Sequence, residues 1–119
     1  MKAIYLLLLL PILFTESVVS WQSPTTHDFG DIKHRQPVTH TFEFKNITDQ
    51  PFVIDNVRTA CGCTSPDWSE EPILPDSTAA ITIEFDAHQA GYFYKWIKVY
   101  FSTQRKAEKL YVEGYVLEP

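Results

Sequence analysis

From residue 38 onward, apolar and polar residues alternate with period two over several segments, the pattern that sends successive side chains to opposite faces of a strand. Val38-Thr39-His40-Thr41-Phe42-Glu43-Phe44-Lys45 puts Val38, Phe42 and Phe44 on one face and Thr41, Glu43 and Lys45 on the other. Ala79 to Asp86 repeats it, with Ile81, Ile83 and Phe85 opposed to Thr82, Glu84 and Asp86. Further on, Ile97, Val99 and Phe101 oppose Trp96, Lys98 and Tyr100, and in the last run Leu110, Val112 and Val116 share a face. Turn signals separate the runs: Asn46 to Pro51, Pro66 through Ser77, Ala87 to Gly91, and Ser102 to Glu108. Pro and Gly at such spacings suit antiparallel strands, and β-branched and aromatic residues favour sheet over helix. The pattern predicts an all-β fold, an immunoglobulin-like β-sandwich of about seven antiparallel strands. Its natural core is Phe42, Phe44, Ile81, Ile83, Phe85, Ile97, Val99, Phe101 and Val112. Phe29 is expected to anchor an earlier strand, with Gly30 turning the chain before Asp31-Ile32.

The first twenty residues break the pattern. Lys2 precedes an apolar run from Ala3 to Phe14 and a polar stretch, Thr15-Glu16-Ser17, which is the layout of a secretory signal peptide. The run is interrupted by Pro11 and is shorter than the roughly 20 residues of a spanning helix, so no stable membrane anchor is expected after cleavage. Small residues at Val18 and Ser20 predict a cut after Ser20: residues 1–20 as signal peptide and 21–119 as a single sandwich domain, periplasmic or extracellular. The composition, 45% hydrophobic and 21% charged, is that of an ordinary globular domain. A net charge of −5 speaks against nucleic acid as a partner, since phosphate binding relies on clustered Lys and Arg.

Two features could carry chemistry or recognition. Cys61-Gly62-Cys63-Thr64 holds both cysteines. In a regular strand, residues two apart lie about 6.5 Å apart, the outer limit for a disulfide, so a bond needs a bend that Gly62 could supply. The alternatives are a soft metal such as Cu(I) held by two thiolates, or two small thiols packing at a strand end. The histidines at 27, 34, 40 and 88 are scattered, and no second ligand cluster completes a zinc site. The second feature is an aromatic set opposite the core: Tyr94, Trp96 and Tyr100 on one strand, Tyr111 and Tyr115 on the next. Such rings commonly pack across strands; if the two strands are neighbours, they could also dock a protein or a sugar. Asn46-Ile47-Thr48 fits a glycosylation sequon in a turn. His27-Asp28-Phe29-Gly30 contains the tripeptide of the kinase magnesium loop, an accidental match in a chain without the other kinase motifs. No nucleophile elbow, metalloprotease helix or phosphate loop is present, and neither an enzyme nor a cofactor is expected.

The order of signals is similar to the bacterial domain-of-unknown-function 1573 family: Asp28-Phe29-Gly30, Thr41 to Asn46, Pro51, Val53 to Arg58, Cys61-Gly62-Cys63-Thr64, Pro75, Ile83 to Asp86, Gly91 and Val112-Glu113-Gly114. The resemblance implies an exported immunoglobulin-like sandwich of the type shared with major-sperm-protein and pilus-chaperone-like domains, and no established activity. The chain departs from it where Asp76 follows Pro75 in place of Gly, which predicts a different turn type there, and at His34-Arg35-Gln36, which stands for a Gly-containing turn. The leading functional expectation is a non-catalytic binding or assembly module whose partner is a protein or another cell-envelope component. It would act through the aromatic face or through an open sheet edge. The alternatives are thiol-based redox or soft-metal handling at Cys61 and Cys63, and a purely structural accessory domain.

Overall fold

The alternating segments become strands of two packed sheets. A computed structural model describes residues 17–119; most of the expected signal segment, up to residue 16, lies outside the described residues. The strands are β1 (Val19–Trp21), β2 (Thr26–Ile32), β3 (Val38–Asn46), β4 (Ile54–Thr59), β5 (Thr64–Trp68), β6 (Thr78–Phe85), β7 (Gly91–Phe101) and β8 (Glu108–Val116). One sheet has the order β1-β3-β6-β5 and the other β2-β8-β7-β4. All pairings are antiparallel except β2 with β8, which is parallel. Among the described residues the sandwich has eight strands and one parallel pair, where the sequence pattern predicts about seven, all antiparallel.

The added strands are the ones alternation reads poorly. β5 contains Pro66 and occupies the first part of the segment predicted as turn. It lies at the outside of its sheet and pairs only with β6, a position where a residue without a backbone N–H is tolerated. β1 is three residues long and straddles the expected cut after Ser20: Val19 sits opposite Asn46 and is 4% exposed. The Val18 amide donates to Gln104 Oε1 at 2.9 Å, and Trp21 packs edge-on against Phe44 at 5.4 Å.

The inward faces follow from strand phase. Phe42, Phe44, Ile81, Ile83, Phe85, Ile97, Val99, Phe101 and Val112 are all buried. Burying each contributes roughly 1.5–3 kcal/mol before chain entropy is subtracted. Phe101 joins the two sheets, packing edge-to-face on Phe44 at 5.3 Å and Phe52 at 5.2 Å, the geometry that the ring quadrupole favours. Phe29 is half-buried against the core, and Gly30, at φ 68°, forms a bulge within β2 between Asp28 and Asp31.

Three turn expectations are corrected. Asp76 adopts φ 63°, the left-handed conformation glycine would take, so the turn after Pro75 keeps that backbone shape despite the Asp. Arg35 does the same at φ 58°, its amide donating to the Ala87 carbonyl at 2.8 Å. Asn46 is fully buried and cannot serve as a glycosylation acceptor. Its Nδ2 donates to the carbonyls of Gln50 and Ile73 at 3.0 and 2.9 Å, and its Oδ1 accepts from the Thr48 amide and hydroxyl at 2.8 and 2.7 Å. The residue that resembles a sequon is the clamp of the β3–β4 connection.

Candidate functional site

β7 and β8 are neighbours, and their register brings the aromatic residues together on the outer face of the sheet. Tyr92 pairs with Tyr115, Tyr94 with Glu113, and Trp96 with Tyr111. Tyr92, Tyr94, Trp96 and Tyr115 are 66%, 50%, 37% and 44% exposed, which makes them the main apolar surface of this face. Tyr111 is half-buried because its ring lies parallel to that of Tyr94, with centroids 5.1 Å apart. Tyr100, farther along β7, is half-buried under the Arg58 guanidinium at 6.0 Å, and the Lys98 ammonium lies 4.7 Å over Trp96. The outer face of the other sheet carries Thr39, Thr41, Glu43, Ala80, Glu84, Ser65 and Asp67 instead. One outer face is aromatic and the other polar.

Tyr92 belongs to this set but lies outside the stripe that the strand period gives, because Gly91 closes the predicted turn and the stripe starts at Tyr94. Its hydroxyl donates to Glu113 Oε2 at 2.9 Å. That bond, more than partial desolvation and the carboxylate's charge, holds the Tyr92 phenol above its ordinary pKa.

Cys61 and Cys63 lie in the connection from β4, in one sheet, to β5, in the other, and they are joined as a disulfide with Cα atoms 5.2 Å apart. The turn is held by its own carbonyls: Cys61 accepts from the Thr59 hydroxyl at 3.1 Å and the Thr64 hydroxyl at 3.2 Å, and Cys63 accepts from the Asp86 amide at 3.0 Å. The bend at Gly62 is made without a left-handed backbone; only Gly30 and Gly91 among the glycines have positive φ. A paired sulfur offers no thiolate to a soft cation, and among the described residues no group of three or more His, Cys, Asp or Glu side chains is placed to hold a metal. The two half-buried cysteines line an open cavity of about 280 Å³ with Phe85, Asp86, His88, Tyr92 and Lys95 among its other walls.

Lys95 was also missed. It occupies the inward phase of β7, between Phe93 and Ile97, where every neighbour in phase is a buried hydrophobe. It is half-buried and lines the same cavity as the cysteines, and among the described residues the only ion pair is Lys45 with Asp76. A lysine breaking an otherwise apolar inward run was the available signal.

Two packed four-stranded sheets, with β2 pairing in parallel with β8, form an immunoglobulin-like sandwich, and known structures share the fold. PapD-like domain 7 of human CEP192 superposes with a TM-score of 0.74 at 9% identity, over 92% of this chain and 94% of that one. A protein of unknown function from Porphyromonas gingivalis W83 gives 0.69 at 16% identity, over 83% of this chain and 46% of that one, so the chain spans about half of its length. The Pseudomonas aeruginosa CupB2 chaperone gives 0.61 at 11% identity, over 82% and 55%. At such identities the likeness shows the fold alone. The family model for proteins of unknown function DUF1573 matches residues 19–116, and the chain belongs to that family. No curated protein matches it in sequence.

Proposed function

We propose that this chain is an exported, non-catalytic binding module of the cell envelope that docks a protein partner on the outer face of β7 and β8. The observation that carries the reading is the asymmetry of the sandwich: Tyr92, Tyr94, Trp96 and Tyr115 are exposed together on one sheet, and the other sheet has no counterpart. Large rings with polar tips, flanked by Arg58 and Lys98, are the residue types that concentrate binding energy at protein interfaces.

The state of the sheet edges favours this face over strand addition. Every outer strand is blunted: β1 is three residues long, β2 carries the Gly30 bulge, β4 is irregular between Ile54 and Asn56, and β5 contains Pro66. A protein also fits better than a sugar. Sugar stacking needs open ring faces, whereas Tyr94 and Tyr111 turn theirs toward each other and Trp96 is capped by Lys98. The expected leader at the N-terminus supports an envelope location, and the Val18 amide bond to Gln104 together with β1 favours a cut ahead of Val18.

The test is affinity capture from cell-envelope extract with three baits: the wild-type domain, the double variant Tyr94→Ala/Trp96→Ala, and the control Thr41→Ala/Glu43→Ala on the polar face. A protein held by wild type and control but weakened about thirtyfold by the aromatic variant is expected, corresponding to a hot-spot loss of about 2 kcal/mol. Equal recovery by all three baits, with the variants folded, would sink the reading.

A further inference from the structure

The Cys61–Cys63 bond is hard to explain as a stabiliser. A disulfide acts on stability mainly by closing a loop in the unfolded chain, and the effect shrinks with loop length; here the bond spans a single residue. The turn that it closes is already held by the Thr59, Thr64 and Asp86 hydrogen bonds. Gly62 is equally unexplained by folding. Its φ lies outside the left-handed range, and a Cβ built on it would meet nothing within 4 Å. The residue between the two sulfurs is exposed and bare where the backbone would accept a side chain. What the glycine leaves open is an approach to the disulfide.

The cysteines also line a cavity, which they share with Lys95 and His88. Its far wall is fixed: His34 Nε2 donates to the His88 carbonyl at 3.0 Å, the Arg35 amide to the Ala87 carbonyl at 2.8 Å, and the His88 amide to Asp86 Oδ1 at 3.0 Å. Lys95, a cation at a core-phase position with no carboxylate partner among the described residues, supplies the charge that favours thiolates. A preformed cavity, an accessible disulfide and an unpaired cation converge at one end of the sandwich.

We propose that Cys61–Cys63 is a thiol–disulfide exchange site that takes a dithiol in an extended polypeptide as its substrate. The partner's first thiolate attacks one sulfur of the pair. The Cys61–Cys63 bond breaks, its electron pair leaves on the other cysteine as a thiolate beside Lys95, and a mixed disulfide forms. The partner's second thiol, deprotonated, attacks the mixed disulfide from its own side and releases the remaining cysteine as a thiolate. The partner ends as a disulfide and the pair as two thiols. Two electrons and two hydrogens pass from partner to protein, and the oxidant is the Cys61–Cys63 bond itself. A polypeptide is favoured over a small thiol because the cavity has room for side chains flanking a cysteine and opens beside the exposed Tyr92.

The test mixes the oxidised chain with a reduced, unstructured peptide bearing two cysteines, quenches with a maleimide, and reads both products by intact mass. The expected result is two alkylated cysteines on the protein and an unalkylated, oxidised peptide. Gly62→Val should slow this transfer about tenfold by closing the approach, with little change in the reaction with dithiothreitol or in melting temperature. Lys95→Gln should slow it by about threefold to tenfold and move its pH profile upward, a response that a packing role would not give. No transfer to the peptide over hours, or equal rates in wild type and the Gly62→Val variant, overturns the proposal. Exchange with glutathione but not with the peptide overturns the polypeptide as substrate.

Discussion

Asn46 shows how a side chain's role depends on what surrounds it. In sequence it opens a sequon in a turn; in the fold all of its side-chain polar atoms are engaged, two donations outward and two acceptances inward, at a fully buried site. Replacing it with Ala removes the clamp and leaves the Ile73 carbonyl without its side-chain donor. The Asn46→Ala variant should lose about 2–4 kcal/mol in urea unfolding with an unchanged slope. A loss under about 0.5 kcal/mol would show that water replaces the clamp. The aromatic stripe was legible in advance because it depends only on alternation, whereas Asn46 and Lys95 were not, because local patterning carries no information about which loop or cavity a side chain reaches. Asp76 and Arg35 mislead for a related reason: each holds a left-handed backbone that residue type alone assigns to glycine.

Among the elements, β2 is the least conventional. It pairs in parallel with β8, and its bulge brings the Gly30 carbonyl to 2.9 Å from where a Cβ on Gly114 would stand, with the Phe93 ring at 3.0 Å. Gly114→Ala should therefore displace the bulge or the ring and cost about 1–3 kcal/mol, measured by chemical denaturation. β2 also meets β3 of the opposite sheet through His27 and His40, whose rings stack at 3.6 Å and 8°. Burial, and then the charge of His27, hold the His40 imidazole below its ordinary pKa of 6.5. The folded state thus binds this proton less readily than the unfolded chain. Its contribution to stability is fully present above about pH 6.5 and is lost as the pH falls below that value. Melting temperature should drop on acidification from about pH 7.5 to about pH 5, and His40→Phe should flatten that dependence; identical slopes in both proteins would exclude the pair as its source. The strands with clean alternation, β3, β6, β7 and β8, were legible from sequence. β1 and β5 were not, since a three-residue strand and one with a proline lack the period, and β2 was legible only as a strand around Phe29, without its bulge or its parallel pairing.

At the scale of the whole molecule, the sandwich includes residues that the signal reading assigns to the leader. Val19 is buried, and Ser17 Oγ donates to Glu108 Oε1 at 2.7 Å, so a chain beginning at Trp21 would lose two of the three residues of β1 and open the end of the core. Intact mass of the protein purified from cells should correspond to a first residue at or before Val18; a mass beginning at Trp21 in a stably folded protein would show that β1 is dispensable. The two-sheet architecture and its family follow from alternation and motif order, but the division of its surface into an aromatic and a polar face emerges only when β7 and β8 are set side by side. That division is the basis for a binding module, and site-specific photocross-linking in living cells tests it most directly. A photoreactive residue in place of Tyr94 should yield a discrete adduct with one envelope protein, and the same residue in place of Thr41 should yield none. No adduct at Tyr94, or the same adducts from both faces, would contradict the account.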